Sequence, residues 1–187
     1  MGADIKDIDS RSFADLFFPC NRCIYWEAPE QFGSNGDDSR KLPEKDASGI
    51  KWAWFEETLK TFGRCGVILS IGGEAAGYAQ YAPPSLLPNA AGYAQSISPP
   101  SRDAVLISCL YIRPEYQGRG LGKMLLRKVT GDIGERGYDA AETYARDDSP
   151  DNCSGPTEFY LKSGFTLLAT KKWGEATFSL LRLTLKK

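Results

Sequence analysis

The 187-residue sequence contains no histidine. Histidine is the side chain most often used as a general base near neutral pH, so its absence excludes any Ser–His or Cys–His catalytic pair. Five cysteines are present, and Cys20 and Cys23 form a single Cys-x-x-Cys pair. Because a structural zinc ion usually takes four protein ligands, we expect no metal here and interpret both cysteines as ordinary thiols.

A strong net charge and long apolar runs are also missing. The net charge is −1, so no overall basic field favours binding to nucleic acid or to an anionic membrane. No apolar run reaches transmembrane length, and residues 1–10 lack the apolar segment of a signal peptide. An odd number of cysteines without an export signal is typical of reduced thiols. We therefore expect a cytoplasmic protein with one domain over residues 1–187, binding neither nucleic acid nor membranes.

Residues 110–125 have the pattern of a strand, a glycine-rich loop and a helix. Residues 104–112 are almost continuously apolar and rich in β-branched side chains, which predicts a strand buried on both faces. Pro114 ends this strand, and apolar residues recur at helical spacing from Leu121 onward. Between them, three glycines fall within five residues: Gly118, Gly120 and Gly122.

This pattern suits the binding of a phosphate or pyrophosphate group. The first amides of a helix are unpaired and lie at the positive end of the helix dipole. Glycines allow a bulky anion to approach the backbone, and Arg119 and Lys123 add positive charge. A glycine-rich turn without a ligand has the same pattern, so these residues alone leave both interpretations open.

Two motifs resemble the GNAT superfamily of N-acyltransferases. The first is Gln117-x-x-Gly120-x-Gly122, which follows the lead-in residues 113–116 and is similar to the acyl-CoA loop of that superfamily. About 40 residues later, residues 159–165 resemble its second motif, a short helix ending in Tyr-x-x-x-Gly-Phe before a strand. The order and spacing of the two motifs also agree, and the resemblance covers residues 105–168.

The resemblance implies an α/β fold of the α+β type. Its central sheet would be mixed and mostly antiparallel, splayed into a V that holds acyl-CoA and flanked by helices. The alternation of predicted strands and helices also favours a mixed sheet. We predict strands at 5–8, 24–26, 67–71, 75–82, 104–112, 138–145, 165–170 and 177–185, helices at 12–18, 50–62, 121–129 and 157–163, and mobile loops at about 28–49 and 83–102.

The resemblance also implies which residues bind the cofactor. The amides of the glycine-rich loop would hold the pyrophosphate, and the strand before it would pair with the pantetheine arm. Tyr160, the tyrosine of the second motif, would protonate the departing CoA thiolate. The predicted residues of the acetyl-CoA site are Leu110, Tyr111, Ile112, Gln117, Gly118, Arg119, Gly120, Leu121, Gly122, Lys123, Asn152 and Tyr160.

The general base is less evident. Glu142, late in the predicted strand 138–145, is the first candidate, because it would point toward the V. Glu27, Glu56 and Glu57 are further candidates, although a surface carboxylate is the favoured interpretation of all four glutamates. A water path to the amine would make a single base unnecessary. Cys109 and Cys153 lie near the expected active region, and we interpret both as ordinary thiols because no activating group is evident.

The repeated hexapeptide Ala-Ala-Gly-Tyr-Ala-Gln occurs at residues 75–80 and 90–95. Two copies are too few for a repeat architecture. The first copy continues an apolar strand, whereas the second lies between prolines. We therefore predict a strand for the first copy and a solvent-facing loop for the second.

These expectations converge on an acetyl-CoA-dependent N-acetyltransferase. It would move the acetyl group to a primary amine of a small molecule or peptide, by direct attack in a ternary complex and without a metal ion. The alternative is a non-catalytic acyl-CoA-binding domain that serves as a sensor or interaction module. Both a monomer and a homodimer stay open.

Overall fold

A computed structural model describes residues 2–32, 44–147, 153–173 and 175–185. Seven strands form one sheet in the order β1-β2-β3-β4-β5-β7-β6. The strands are β1 Ala3–Asp7, β2 Gly66–Ile71, β3 Glu74–Ala82, β4 Ala104–Ile112, β5 Ala140–Arg146, β6 Thr166–Trp173 and β7 Ala176–Thr184. The α-helices are α1 Glu44–Thr61, α2 Ala90–Ser96, α3 Leu121–Glu135 and α4 Thr157–Leu161.

The sheet is antiparallel at every pair of neighbours except one. β4 and β5 run parallel, and α3 supplies the crossover that parallel neighbours require. Their pairing begins at Ala104 opposite Ala140 and ends at Ile107 opposite Thr143. The remaining residues of the two strands, all of them described, are not paired with each other. The strands therefore separate into a V, as predicted.

The core lies on both faces of β4, which explains its almost continuously apolar sequence. On one face, α3 buries a stripe of apolar side chains at helical spacing, including Leu125, Val129 and Ile133. On the other face, Phe55 of α1 packs in a cluster with Cys109 of β4. The fold is the mixed, splayed α/β sheet that we predicted. Within the described residues, no helix combines the length and the apolar character needed to cross a membrane.

The N-terminal predictions differ from the structure in two places. The predicted helix 12–18 is only the 3₁₀ turn Ser12–Asp15. The predicted strand 24–26 is a series of turns, in which the Ala28 amide donates to the carbonyl of Ile24 (2.9 Å). Ile24 is nevertheless fully buried, so its apolar character reflects packing rather than a place in the sheet.

The two predicted loops also differ. Helix α1 begins at Glu44, and most of the remainder of the predicted loop 28–49 lies outside the described residues. The predicted loop 83–102 contains the 3₁₀ turn Pro84–Leu86 and helix α2. The second hexapeptide copy is therefore a helix rather than a solvent-facing loop, and it buries Ala90 and Tyr93.

Close packing between β3 and β4 leads to a stability prediction for Gly77. A Cβ atom at this position would lie 2.6 Å from Ile112 Cδ1 and 3.2 Å from the Tyr111 carbonyl oxygen. We expect Gly77→Ala to lower the free energy of unfolding by about 1–3 kcal/mol. The matched control is Gly131→Ala in α3, where a Cβ atom would have no neighbour within 4 Å apart from the adjacent backbone of its own helix. That change should stabilise the protein by about 0.5–1 kcal/mol. Urea unfolding measures both, and equal effects would contradict the packing.

Candidate functional site

A short loop fills the gap between β4 and β5. We call residues 153–156 the bridging loop. The Leu110 amide donates to the carbonyl of Cys153 (2.8 Å), and the Arg146 amide donates to the carbonyl of Gly155 (3.2 Å). The loop therefore takes hydrogen bonds that the missing strand pairs would otherwise form. It also separates two cavities, one on each face of the sheet.

The first cavity, of about 370 Å³, lies beside the glycine-rich loop, and we call it the glycine-loop groove. Gly118 and Gly120 have φ of +73° and +78°, a left-handed conformation that favours glycine. Gly120 is the N-cap of α3, so the first amides of this helix lie at the groove. Gly122 follows, and a Cβ there would contact Phe159 Cε2 at 3.4 Å. Unpaired amides, the helix dipole and the nearby ammonium of Lys123 suit a phosphate group.

Most of the predicted cofactor residues meet in this groove. Its lining includes Leu110, Ile112, Gln117, Gly118, Gly120, Leu121, Gly122 and Lys123. Sequence reasoning missed four further lining residues. Tyr116 of the lead-in and Phe159 of α4 stand within the two motifs but were not assigned to the site. The sequence of the bridging loop gave no indication of a binding site. The four residues are Tyr116, Gly155, Pro156 and Phe159.

Two other predicted cofactor residues, Tyr111 and Arg119, lie outside the groove lining. Tyr111 is opposite Tyr78 of β3. The N–H and C=O groups of successive residues in a strand point alternately to its two sides. Because the Leu110 amide points to the gap, the peptide groups of Tyr111 point to β3. The guanidinium of Arg119 lies over the Tyr116 ring and is not part of the groove lining. Asn152 lies outside the described residues.

Tyr160 is fully buried beside the bridging loop. Its hydroxyl donates to the carbonyl of Ser154 (2.6 Å), and burial raises the pKa of this phenol well above its ordinary value. The side chain lines neither cavity. In this geometry the phenol stays protonated and holds the loop that divides the cavities.

Glu142 is a buried ion-pair partner rather than a group in the V. Arg182 Nη1 donates to its Oε1 (2.9 Å), and the Ser101 amide donates to its Oε2 (2.8 Å). Arg182 occupies the opposite position on β7. Glu142 lines neither cavity, contrary to our expectation that it points toward the V. The pairing with Arg182 explains how a carboxylate is tolerated at a fully buried strand position.

The second cavity, of about 290 Å³, lies on the other face of the sheet, and we call it the aromatic cleft. Neighbouring residues of a strand point to opposite faces, so Cys109 lines this cleft whereas Leu110 lines the glycine-loop groove. Both hexapeptide copies contribute a tyrosine. The aromatic lining consists of Tyr25, Trp26, Phe32, Tyr78 and Tyr93.

A buried polar network forms one wall of the aromatic cleft. Lys51 Nζ donates to Glu27 Oε1 (2.9 Å) and to Gln80 Oε1 (3.0 Å), and Gln80 Nε2 donates to Glu27 Oε1 (2.7 Å). Burial alone would lower the pKa of Lys51, but the charge of Glu27, the nearby thiol of Cys23 and the hydrogen bond to Glu27 together outweigh it, so the pKa is raised. Glu27, a candidate base, is therefore committed to an ion pair. Glu56 and Glu57 are exposed on α1.

Four of the five cysteines line the aromatic cleft, namely Cys20, Cys23, Cys109 and Cys153. Burial raises the pKa of Cys23 to about 11, although Lys51 opposes the shift. The pKa of Cys109 is also raised, and its thiol is in contact with those of Cys153 and Cys20. In the part of the chain that the structure describes, no group of three or more histidine, cysteine, aspartate or glutamate side chains is placed so that it could hold a metal ion.

The raised pKa of Cys23 leads to a prediction about its reactivity. The side chain is partly exposed, so accessibility alone would allow alkylation. The thiolate is the reactive form, and at about pH 8 we expect Cys23 to react at least about tenfold more slowly than a free thiol of pKa about 8.5. The smaller thiolate fraction is partly offset by the greater nucleophilicity of a more basic thiolate. Iodoacetamide labelling followed by peptide mass spectrometry measures this rate, with urea-unfolded protein as the control. Labelling of Cys23 at the rate of the unfolded chain would contradict the assignment.

Similar folds occur among solved acetyltransferases. An N-acetyltransferase from Staphylococcus aureus Mu50 is 14% identical with a TM-score of 0.64, and each chain is covered to 100%. The YncA acetyltransferase of Salmonella typhimurium, solved with its cofactor acetyl-CoA, is 19% identical with a TM-score of 0.62, covering 99% of this chain and 95% of that one. A PaiA N-acetyltransferase from Thermoplasma acidophilum in complex with coenzyme A is 12% identical with a TM-score of 0.60, covering 98% and 99%.

No curated protein matches this chain significantly. The model of the acetyltransferase (GNAT) family, however, matches residues 21–165. These residues include β4, the glycine-rich loop, the bridging loop and α4. Together with the splayed sheet and the groove at the start of α3, this match shows that the chain belongs to the GNAT family of acetyltransferases.

Proposed function

We propose that this protein transfers an acetyl group from acetyl-CoA to a primary amine, by direct attack within a ternary complex. The observation that carries the proposal is the placement of two cavities on opposite faces of the separated strands, with the bridging loop as their common wall. Leu110 and Cys109 are consecutive, yet one lines the glycine-loop groove and the other lines the aromatic cleft. A thioester held beside Leu110 and Cys109 would be accessible from the glycine-loop groove and from the aromatic cleft.

The glycine-loop groove is the proposed acetyl-CoA site. The amides at the start of α3 and the ammonium of Lys123 would bind the pyrophosphate. Leu110 and Ile112 have their backbone groups directed toward the gap, so they would pair with the pantetheine arm. The Leu110 amide donates to Cys153 in this structure, so pairing at that position requires the bridging loop to move.

The aromatic cleft is the proposed acceptor site. A neutral amine there would attack the thioester carbonyl carbon, and the C–S bond would then break. Once the bridging loop has moved and freed its hydroxyl, Tyr160 would give a proton to the CoA thiolate, and water would return a proton to the phenolate. The amine would release its own proton to water through the cleft. Water is the proposed proton acceptor because Glu27 and Glu142 are each bound in a buried ion pair.

A non-catalytic acyl-CoA-binding domain is the second candidate. It is favoured by the positions of Glu27 and Glu142, since both are held in buried ion pairs and neither lines a cavity, and by the hydrogen bond that directs the Tyr160 hydroxyl to Ser154. The two candidates differ in turnover, whereas both require acetyl-CoA to bind at the glycine-loop groove.

Thiol release from acetyl-CoA across a panel of amines separates the candidates. We expect saturable, amine-dependent release by the wild-type protein. Gly122→Asp would place bulk against Phe159 and negative charge where we propose that the pyrophosphate binds, so its acetyl-CoA affinity should fall at least about tenfold. Gly131→Asp, in the same helix but away from the groove, should retain affinity. Tight binding without release would support the binding domain, and full affinity in folded Gly122→Asp would place the cofactor elsewhere.

The proposed role of Tyr160 is tested by Tyr160→Phe, which removes only the hydroxyl. We expect kcat to fall roughly 10- to 1,000-fold, within or near the range of about 100- to 10,000-fold that is usual for one acid–base group, with acetyl-CoA affinity changed by less than about threefold. Single-turnover measurements are needed, because slow product release would hide a slower chemical step. A wild-type rate combined with weaker acetyl-CoA binding would instead show that the hydroxyl serves only to anchor the bridging loop.

A further inference from the structure

Two cysteines from distant parts of the chain meet at the bridging loop. Cys109 belongs to β4, and Cys153 is the first residue of the loop. Both line the aromatic cleft, and Cys153 packs against the apolar cluster that contains Cys109. Their thiols are in contact. Cys20 also contacts Cys109, but it is only 2% exposed, whereas Cys153 is partly exposed, so a reagent in the cleft meets Cys153 first.

The backbone around Cys109 and Cys153 is compatible with a disulfide bond. Leu110, next to Cys109, donates its amide to the carbonyl of Cys153 (2.8 Å), so the loop lies beside β4 as a neighbouring strand would. Neighbouring strands are about 4.7–4.9 Å apart, and disulfides usually join residues whose Cα atoms are about 4.4–6.8 Å apart. A bond between the two sulfur atoms would therefore need little movement of the backbone.

This pair of thiols lies where the loop controls access to the cofactor site. The proposed acetyl-CoA complex needs the Leu110 amide for the pantetheine arm, and in this structure that amide is bonded to Cys153. In the reduced protein the bridging loop is held by hydrogen bonds, such as the one from the Tyr160 hydroxyl to Ser154 (2.6 Å), which break and re-form readily. A covalent bond from Cys153 to the neighbour of Leu110 would oppose the movement that frees the amide.

We propose that Cys109 and Cys153 form a reversible disulfide that prevents acetyl-CoA from binding by fixing the bridging loop in place. This inference rests on the proposed acetyltransferase function and specifies its regulation. The site takes a low-molecular-weight disulfide as its co-reactant. Neither thiol has a part in the proposed acetyl transfer, so reduction of the pair restores the binding-competent protein.

The reaction is thiol–disulfide exchange in two steps. The Cys153 thiolate attacks one sulfur atom of the small disulfide, which forms a mixed disulfide and releases one thiolate. The Cys109 thiolate then attacks the Cys153 sulfur and releases the second thiolate. The two cysteines are oxidised, the small disulfide is reduced to two thiols, and these thiols take up the two protons that the cysteines lost.

Disulfide mapping and calorimetry on the full chain test the proposal. After incubation with excess glutathione disulfide, we expect peptide mass spectrometry to identify a Cys109–Cys153 disulfide. The affinity of the oxidised protein for acetyl-CoA should be at least about tenfold lower than that of the reduced protein. Dithiothreitol, removed before calorimetry, should restore it. Because burial raises the pKa of Cys109 and keeps its thiolate scarce, incubation continues until the mapped fraction is constant.

The reduction potential of the pair provides a second measurement that does not depend on turnover. If the disulfide lowers the affinity tenfold, a saturating ligand must favour the reduced pair by the same factor. For a two-electron couple, this factor raises the reduction potential by about 30 mV. Titration in glutathione and dithiothreitol redox buffers measures the shift. A thioether analogue of acetyl-CoA serves as the ligand, because thiol buffers would cleave the thioester.

Two serine variants identify the cysteine responsible. Cys153→Ser should have the same acetyl-CoA affinity before and after incubation with glutathione disulfide. Cys23→Ser is the matched control, because Cys23 is also partly exposed and lines the same cleft. It should lose affinity on oxidation as the wild-type protein does. If Cys153→Ser is not folded by circular dichroism, Cys153→Ala takes its place with the same expected result.

The results separate the disulfide from the proposed function. No disulfide, or one that joins Cys20 to Cys109 or Cys23 to Cys153 instead, would overturn the inference. A Cys109–Cys153 disulfide that leaves the acetyl-CoA affinity unchanged would overturn it as well. Failure of the reduced protein to bind acetyl-CoA would overturn the proposed function and the switch together, and the mapping would still show whether the two cysteines pair.

Discussion

Two backbone hydrogen bonds, from Leu110 to Cys153 and from Arg146 to Gly155, determine the arrangement of the site. Separating two neighbouring strands exposes peptide groups that must find other partners, and a loop from further along the chain supplies them. The glycine-loop groove and the aromatic cleft exist as distinct cavities because this loop lies between the strands. Tyr160 in turn holds the loop through the carbonyl of Ser154.

The sequence predicted the parts of the site that are encoded locally. The apolar run 104–112, the glycines that follow and the helical spacing after them lie within one continuous segment, so β4, the loop and α3 were recognised before their contacts were known. Gly118 and Gly120 do have the left-handed conformation that such a loop requires. The central fold followed from this segment and from the family motifs.

The aromatic cleft was not predictable in the same way, because distant segments build it. Tyr25 and Tyr93 are 68 positions apart, yet their hydroxyls are 2.8 Å from each other. Likewise, Glu142 was expected near the active region, but its partner Arg182 is 40 residues away in the sequence and no periodicity connects them. Contacts of this kind depend on how the strands are ordered in the sheet, which local patterns do not specify. The hexapeptide repeat shows the limit most clearly, since identical residues form a strand in β3 and a helix in α2. The tertiary surroundings override local propensity there.

The position of the bridging loop has a thermodynamic consequence. Gly155 belongs to the lining of one cavity, and Cys153 and Ser154 belong to the lining of the other. A ligand that displaces this wall on one side also changes the shape offered on the other side. Occupancy of the two cavities is therefore energetically linked, and the linkage is reciprocal: the factor by which the first ligand alters the affinity for the second equals the factor by which the second alters the affinity for the first.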